Sequence, residues 1–169
     1  MGNLMGELKI DYGDCLSNQP RLSEFYGRDG IDLLARLIYS EARGEGYIGK
    51  QGVCWVVKNR MAANIPEFGG DTFSGVILSG AFEGMYEYAA RCPNTNEHGW
   101  TSSLYIAQNH ATQPNPIGTC LWFNTNAYYN KNSRINAGIE QYNGFTIGWQ
   151  EVVEKVIIGN HTFFRVAGY

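Results

Sequence analysis

The stretch Asp29-Gly30-Ile31-Asp32-Leu33-Leu34-Ala35-Arg36-Leu37-Ile38-Tyr39-Ser40-Glu41-Ala42-Arg43-Gly44 decides the fold. Ile31, Leu34, Leu37 and Ile38 recur at helical spacing, Asp29 and Asp32 bias the start, and Gly44 supplies a stop. On a helical wheel Glu41 falls about 20° from Leu34 and about 60° from Ile38, so it continues the apolar stripe by one more turn. Arg36 and Arg43 point elsewhere. A carboxylate on the inward face loses solvation, which favours the neutral acid. The negative end of the helix dipole, in the last turn, pushes the same way. A Glu kept protonated near neutral pH is what a general acid requires. The competing reading is a buried Glu41 that ion-pairs with Arg43, Lys58 or Arg60, since such networks also shift pKa values.

Working outward, a second helix is expected from Ile48 to Met61. Val53, Cys54, Trp55, Val56 and Val57 make it apolar almost all round, as in a central buried helix. At its end, Asn59 and Arg60 are expected to hold the Glu41 loop in place. Pro66 and Gly69-Gly70 break the chain. Short helices are expected over 73–78 and 85–91, a loop over 94–99, a helix over 101–110 and a strand over 121–123. The Asn-, Tyr- and Gly-rich run 124–143 reads as a long loop. Residues 151–158 and 162–166 alternate around Gly159-Asn160 and read as a closing β-hairpin. Residues 1–28 show no sustained period and read as an N-terminal extension before a domain over 29–169. The whole reads as one α+β domain, mainly helical.

The chain has 169 residues, 44% apolar and 17% charged, which suits a single globular domain with a real core. No apolar run is long enough to span a membrane, and the N-terminus lacks a basic-then-apolar export signal. A net charge of −3 without a Lys/Arg cluster argues against a nucleic-acid partner. Aromatics reach 14%, and 11 of the 15 Asn lie from Asn94 onward. Stacking rings and uncharged amides suit a neutral polar ligand such as a sugar, or simply a loop-rich surface. Cys15, Cys54, Cys92 and Cys120 form no CxxC, and His98, His110 and His161 form no HExxH, so no metal or other cofactor is expected. The default is four free thiols, with a Cys92–Cys120 bridge as the alternative. Cys92 with His98 is the only formal candidate for a cysteine peptidase.

The run Leu34 to Glu45 resembles the "YxEARGE" signature of the cell wall hydrolase family typified by the spore cortex-lytic enzymes SleB and CwlJ. The resemblance continues in Gly49-Lys50-Gln51-Gly52-Val53 and Val56-Val57-Lys58-Asn59-Arg60, in Ser74-Gly75-Val76-Ile77 with Gly80-Ala81-Phe82, and in Ile158-Gly159-Asn160-His161-Thr162-Phe163-Phe164-Arg165. Ala81 stands where the family usually has Gln, Asn124-Thr125 replaces its Asn-Pro, and residues 87–113 match nothing characteristic. The resemblance implies a lysozyme-like, lytic-transglycosylase-like fold with Glu41 as the catalytic acid. It also implies cleavage of the bond between N-acetylmuramic acid and N-acetylglucosamine in peptidoglycan, as in spore cortex lysis during germination. A two-carboxylate hydrolase needs a partner for Glu41, for which Glu45, Asp71 and Glu83 are candidates. A lytic transglycosylase needs Glu41 alone, and that route is expected here. Phe82, Phe123, Asn124, Tyr129 and His161 are expected round the cleft as sugar contacts. The expected partner is a glycan strand, the expected state a monomer, and the expected location the spore coat or cortex, or release to the wall. A non-catalytic sugar-binding module is the alternative class, but it has no need of an acid on an apolar helix face.

Overall fold

In the computed structural model, residues 10–17 and 21–169 are described. Helix α1 (Gly30–Ala42) starts where the Asp29 side chain accepts the backbone N–H groups of Ile31 and Asp32, satisfying two donors of the first turn. Leu33, Leu34, Ala35, Leu37, Ile38 and Tyr39 are all buried, so α1 is covered on every side rather than along one stripe. Helices α2 (Tyr47–Ala63), α3 (Phe73–Ile77), α4 (Tyr88–Arg91) and α5 (His98–Gln108) pack around it. Helix α2 ends at Asn64, whose left-handed backbone (φ 47°) lets its N–H donate back to Arg60.

Arg36 does not point away from this core, as its wheel position suggests; it is fully buried. Its Nε donates to Asp32 (2.8 Å), one Nη to the carbonyls of Ala90 and Arg91, and the other to the carbonyl and carboxylate of Asp14. Asp32 is equally buried and also accepts the N–H of Gly13 at 2.7 Å and Arg28 Nε at 2.9 Å. The guanidinium fork thus finds an acceptor for each donor direction, which is what allows a charge to sit at the centre of a helical bundle. The described part of residues 1–28 supplies several of those acceptors, and its Phe25 belongs to the main core. Residues 1–9 and 18–20 of that extension lie outside the described residues.

The cysteine expectation is corrected. Cys15 and Cys92 form a disulfide across 77 residues, leaving Cys54 and Cys120 as buried free thiols. The N–H of Leu16 donates to the carbonyl of Arg91 at 2.9 Å, laying the two cysteine segments side by side. Neither the free-thiol default nor a Cys92–Cys120 bridge survives, and Cys92 has no thiolate to offer His98. Burial pushes the Cys54 and Cys120 thiols up to about 12, so neither is a nucleophile at neutral pH.

The C-terminal part is richer in strand than a single hairpin. Strands β1 (Trp122–Thr125), β2 (Ser133–Asn136), β3 (Ile139–Tyr142), β4 (Gln150–Ile158) and β5 (His161–Val166) form one antiparallel sheet in the order β1-β5-β4-β3-β2. The expected long loop over 124–143 holds the end of β1, helix α6 (Asn126–Lys131) and the β2–β3 hairpin. Thr125 caps α6 by accepting the N–H of Tyr128. The hairpin turns on Ala137 (φ 51°) and Gly138 (φ 81°), two consecutive positive-φ residues of the kind tight hairpins use. Side-chain alternation divides the sheet. Phe163 enters the main helical core, and Phe164 joins Tyr129, Tyr142 and Val166 in a second, smaller core on the opposite face. Among the described residues no helix is long and apolar enough to cross a membrane.

Candidate active site

A cleft with a cavity volume of about 370 Å³ opens between the helical layer and the sheet. Glu41 at the end of α1, Arg60 at the end of α2 and Phe82 with Glu83 before α4 form one wall. Trp122, Phe123 and Asn124 of β1, Tyr128 of α6, Phe145 and His161 of β5 form the other. Glu41 is half-buried, and its Oε1 accepts the backbone N–H of Gly84 at 2.8 Å. Burial pushes its pKa above the ordinary Glu value, the Gly84 N–H opposes this, and the Glu87 and Glu83 charges add to it.

Position 84 must be glycine for that bond to exist. A Cβ there would stand 2.7 Å from the Ser40 hydroxyl and 2.8 Å from Glu41 Oε1. We therefore expect Gly84→Ala to displace the Glu41 carboxyl and break its bond to residue 84, checked by the Glu41 side-chain carbon resonance beside a thermal melt that controls for folding.

None of the three cations expected to pair with Glu41 does so. Arg43 binds Glu97 at 2.5 Å, Lys58 donates to the carbonyl of His110 at 2.6 Å, and Arg60 donates from Nε to the carbonyl of Leu121 at 2.8 Å. Asn59 donates to the carbonyls of Gly118 and Cys120, so Asn59 and Arg60 brace the chain leading into β1 rather than the Glu41 loop. Arg60 also lies over the rings of Phe68 (4.9 Å) and Phe82 (4.7 Å), and burial lowers its pKa to about 10. It remains a cation at the base of the cleft. Among the described residues no group of three or more His, Cys, Asp and Glu side chains is arranged to hold a metal ion.

The family model described as Cell Wall Hydrolase matches residues 44–164. The chain belongs to the cell wall hydrolase family. A curated spore cortex-lytic enzyme of Halalkalibacterium halodurans is 46% identical over 53 residues, 31% of this chain. That match spans only 15% of the relative's length. Among solved structures, the catalytic domain of the germination-specific lytic transglycosylase SleB from Bacillus anthracis superposes with a TM-score of 0.51 at 23% identity, covering 83% of this chain and 97% of that one. The catalytic domain of Bacillus cereus SleB gives a TM-score of 0.48 at 23% identity, covering 89% of this chain and 98% of that one. The first of these establishes a shared α+β fold.

In this cell wall hydrolase, Glu41 lies just before the matched span and lines the cleft with Phe82, Phe123, Asn124 and His161. Tyr129 does not. It is 2% exposed, stacked on Tyr142 (5.3 Å) in the second core, with its hydroxyl donating to Glu140 at 2.6 Å. The helical turn of α6 sends Tyr129 into the sheet and the exposed Tyr128 toward the cleft, an orientation that the tyrosine pair alone does not reveal. Of the carboxylates considered as partners, Glu83 lines the cleft and Glu45 and Asp71 do not. Arg60, Trp122 and Phe145 also line this cell wall hydrolase's cleft without having been expected there. The sequence signal nearest to them is the apolar run Leu121-Trp122-Phe123, which does not tell which of its rings faces the cleft.

Proposed function

We propose that this cell wall hydrolase cleaves the N-acetylmuramic acid-β-1,4-N-acetylglucosamine bond as a lytic transglycosylase, with Glu41 as its one acid and base. The observation that carries the reading is a half-buried carboxyl, its pKa raised by burial, facing an aromatic sheet edge across a cleft. Protonated Glu41 gives its proton to the glycosidic oxygen, and the C1–O bond breaks. The carboxylate left behind takes the proton from the muramic acid C6 hydroxyl, whose oxygen bonds to C1 and closes a 1,6-anhydro ring. Proton and oxygen balance without water. Gly84 N–H holds the carboxyl in place through both steps. Phe123 offers an apolar face to a sugar ring, backed at 6.4 Å by the buried ring of Phe82, and Asn124 and His161 offer polar contacts. The 46% identity over 53 residues to a spore cortex-lytic enzyme supports the spore cortex as the substrate. The Cys15–Cys92 disulfide supports a site of action outside the reducing cytosol.

Mass spectrometry of the muropeptides released from purified sacculi and cortex tests this. Anhydro-muramic ends are expected. Reducing ends instead would overturn the single-carboxylate route and favour hydrolysis, with Glu83, on the same wall as Glu41, as the second carboxylate. Binding without release would make the protein a sugar-binding module.

A further inference from the structure

We propose that Glu45 and His161 form a carboxylate–imidazole pair in which His161 presents a bare Nε2 acceptor to the N–H of a 2-acetamido group on the sugar beside Glu41. The proposal rests on the glycan-cleaving reading above and deepens it by naming one substrate group and its receptor. His161 contacts the substrate; Glu45, which does not line the cleft, is a positioning residue.

Glu45 is held in one place. It follows α1 directly, and its carboxylate accepts the N–H of Asn160 at 3.3 and 3.4 Å, reaching the β4–β5 turn across 115 residues of chain. Gly159, at φ 56°, opens the room for it, since a Cβ there would overlap the carboxylate. A Cβ at Gly49 would stand 3.0 Å from the Glu45 Cβ, which closes the other side. From this position Glu45 Oε1 lies 3.7 Å from His161 Nδ1.

His161 is 8% exposed, and its Nδ1 is buried without a hydrogen bond, although the ring lines the cleft. A buried nitrogen without a partner is costly, and the facing acceptor is Glu45. The 3.7 Å gap exceeds a hydrogen bond by roughly half an ångström, and hydrogen bonds of binding and catalytic groups tighten by that much in a complex with substrate. Burial lowers the His161 pKa more than Glu45 raises it, so the imidazole is neutral at neutral pH with one N–H and one lone-pair nitrogen. An ionised carboxylate only accepts. The proton therefore belongs on Nδ1, and Nε2 is left as an acceptor. Glu41, Glu83 and Arg60 are the other charged groups lining the cleft.

The acceptor's neighbours choose the ligand. The His161 ring meets Phe123 edge-on at 5.4 Å and Phe163 at 6.2 Å. An acetamido group carries an N–H donor beside a methyl, which suits one acceptor among aromatic faces better than a hydroxyl does.

The test has two arms on the full chain. In the first, nitrogen NMR of the labelled protein reads the His161 tautomer, assigned by difference against His161→Phe. The Nδ1–H form is expected in the wild type and a mixture of tautomers in Glu45→Met, which removes both acceptor oxygens. In the second, cleavage is timed on glycan strands carrying the 2-acetamido group or its N-methyl counterpart, which keeps the acetyl but has no N–H. The wild type is expected to lose about 10-fold in kcat/KM without the N–H, chiefly as KM. His161→Phe is expected to lose a similar factor on the unmodified strands and to stop discriminating. A wild type in the Nε2–H form, or a His161→Phe protein that still discriminates, overturns the inference while leaving the glycosidase intact. A wild type that cleaves neither strand overturns the glycosidase reading and the acetamido ligand with it. Should Glu45→Met not fold, the wild-type tautomer and His161→Phe decide the matter.

Discussion

Glu41→Gln is expected to fold normally and to release muropeptides at least ~10²–10⁴-fold more slowly than the wild type, the range by which one positioned acid–base group contributes. The Gln carbonyl can still accept the Gly84 N–H, so the architecture survives while the proton is lost. The pH dependence carries the sign of a group whose pKa rises on folding. Burial raises the folded-state pKa of Glu41 above its unfolded value. Between those two values the folded protein holds a proton that the unfolded chain has released. Stability contributed by the protonated form is therefore complete below the unfolded pKa and is lost as pH rises through the folded one. Glu41→Gln removes that slope, so the variant is expected to be the more stable protein above the window. Activity of the wild type should fall over the same pH range as the acid loses its proton. Thermal melts and turnover measured across a pH series check both, and a variant that still cleaves would remove Glu41 from the chemistry.

Removing the disulfide is the second large effect. Cys15→Ser with Cys92→Ser is expected to cost about 2–5 kcal/mol, since the bond closes a loop of 77 residues in the unfolded chain. For a domain of this length that corresponds to a fall in Tm of roughly 5–15 °C. The loss is not only one of chain entropy. Asp14 and Gly13, next to Cys15, supply acceptor and donor to the buried Arg36 and Asp32, so loosening this segment leaves a central ion pair short of partners. Melts with and without a reductant, compared with the double Ser variant, measure the effect. A variant melting with the wild type would show that Arg36 and its neighbours hold the segment unaided.

Periodicity made α1, α2 and the β4–β5 hairpin legible, because the spacing of their apolar residues is set by their own backbone. It failed where tertiary packing chose the orientation. Arg36 looks like a surface residue on the wheel, yet it is the best-partnered charge in the bundle, because its acceptors come from residues 14, 90 and 91. The segment 124–143 looks like a loop because Asn and Tyr dilute its alternation. Its hairpin leaves Ile135 and Ile139 exposed, so no apolar face announces it. The disulfide was out of reach, since spacing along a chain does not report which segments lie side by side. At the site, Glu41 was readable as a carboxyl out of place on an apolar stripe. Arg60, Trp122 and Phe145 were not, because nothing local distinguishes a cleft-facing ring or guanidinium from a core one.

The latch between Glu45 and the β4–β5 turn has a consequence for how the enzyme comes into being. The carboxyl at residue 41 leaves the ribosome early, whereas the facing wall waits for Phe123, 82 residues later, and His161, 120 residues later. A nascent chain therefore carries Glu41 with nothing opposite it. The cleft has both its walls only once β5 has docked and Glu45 has met the turn before it.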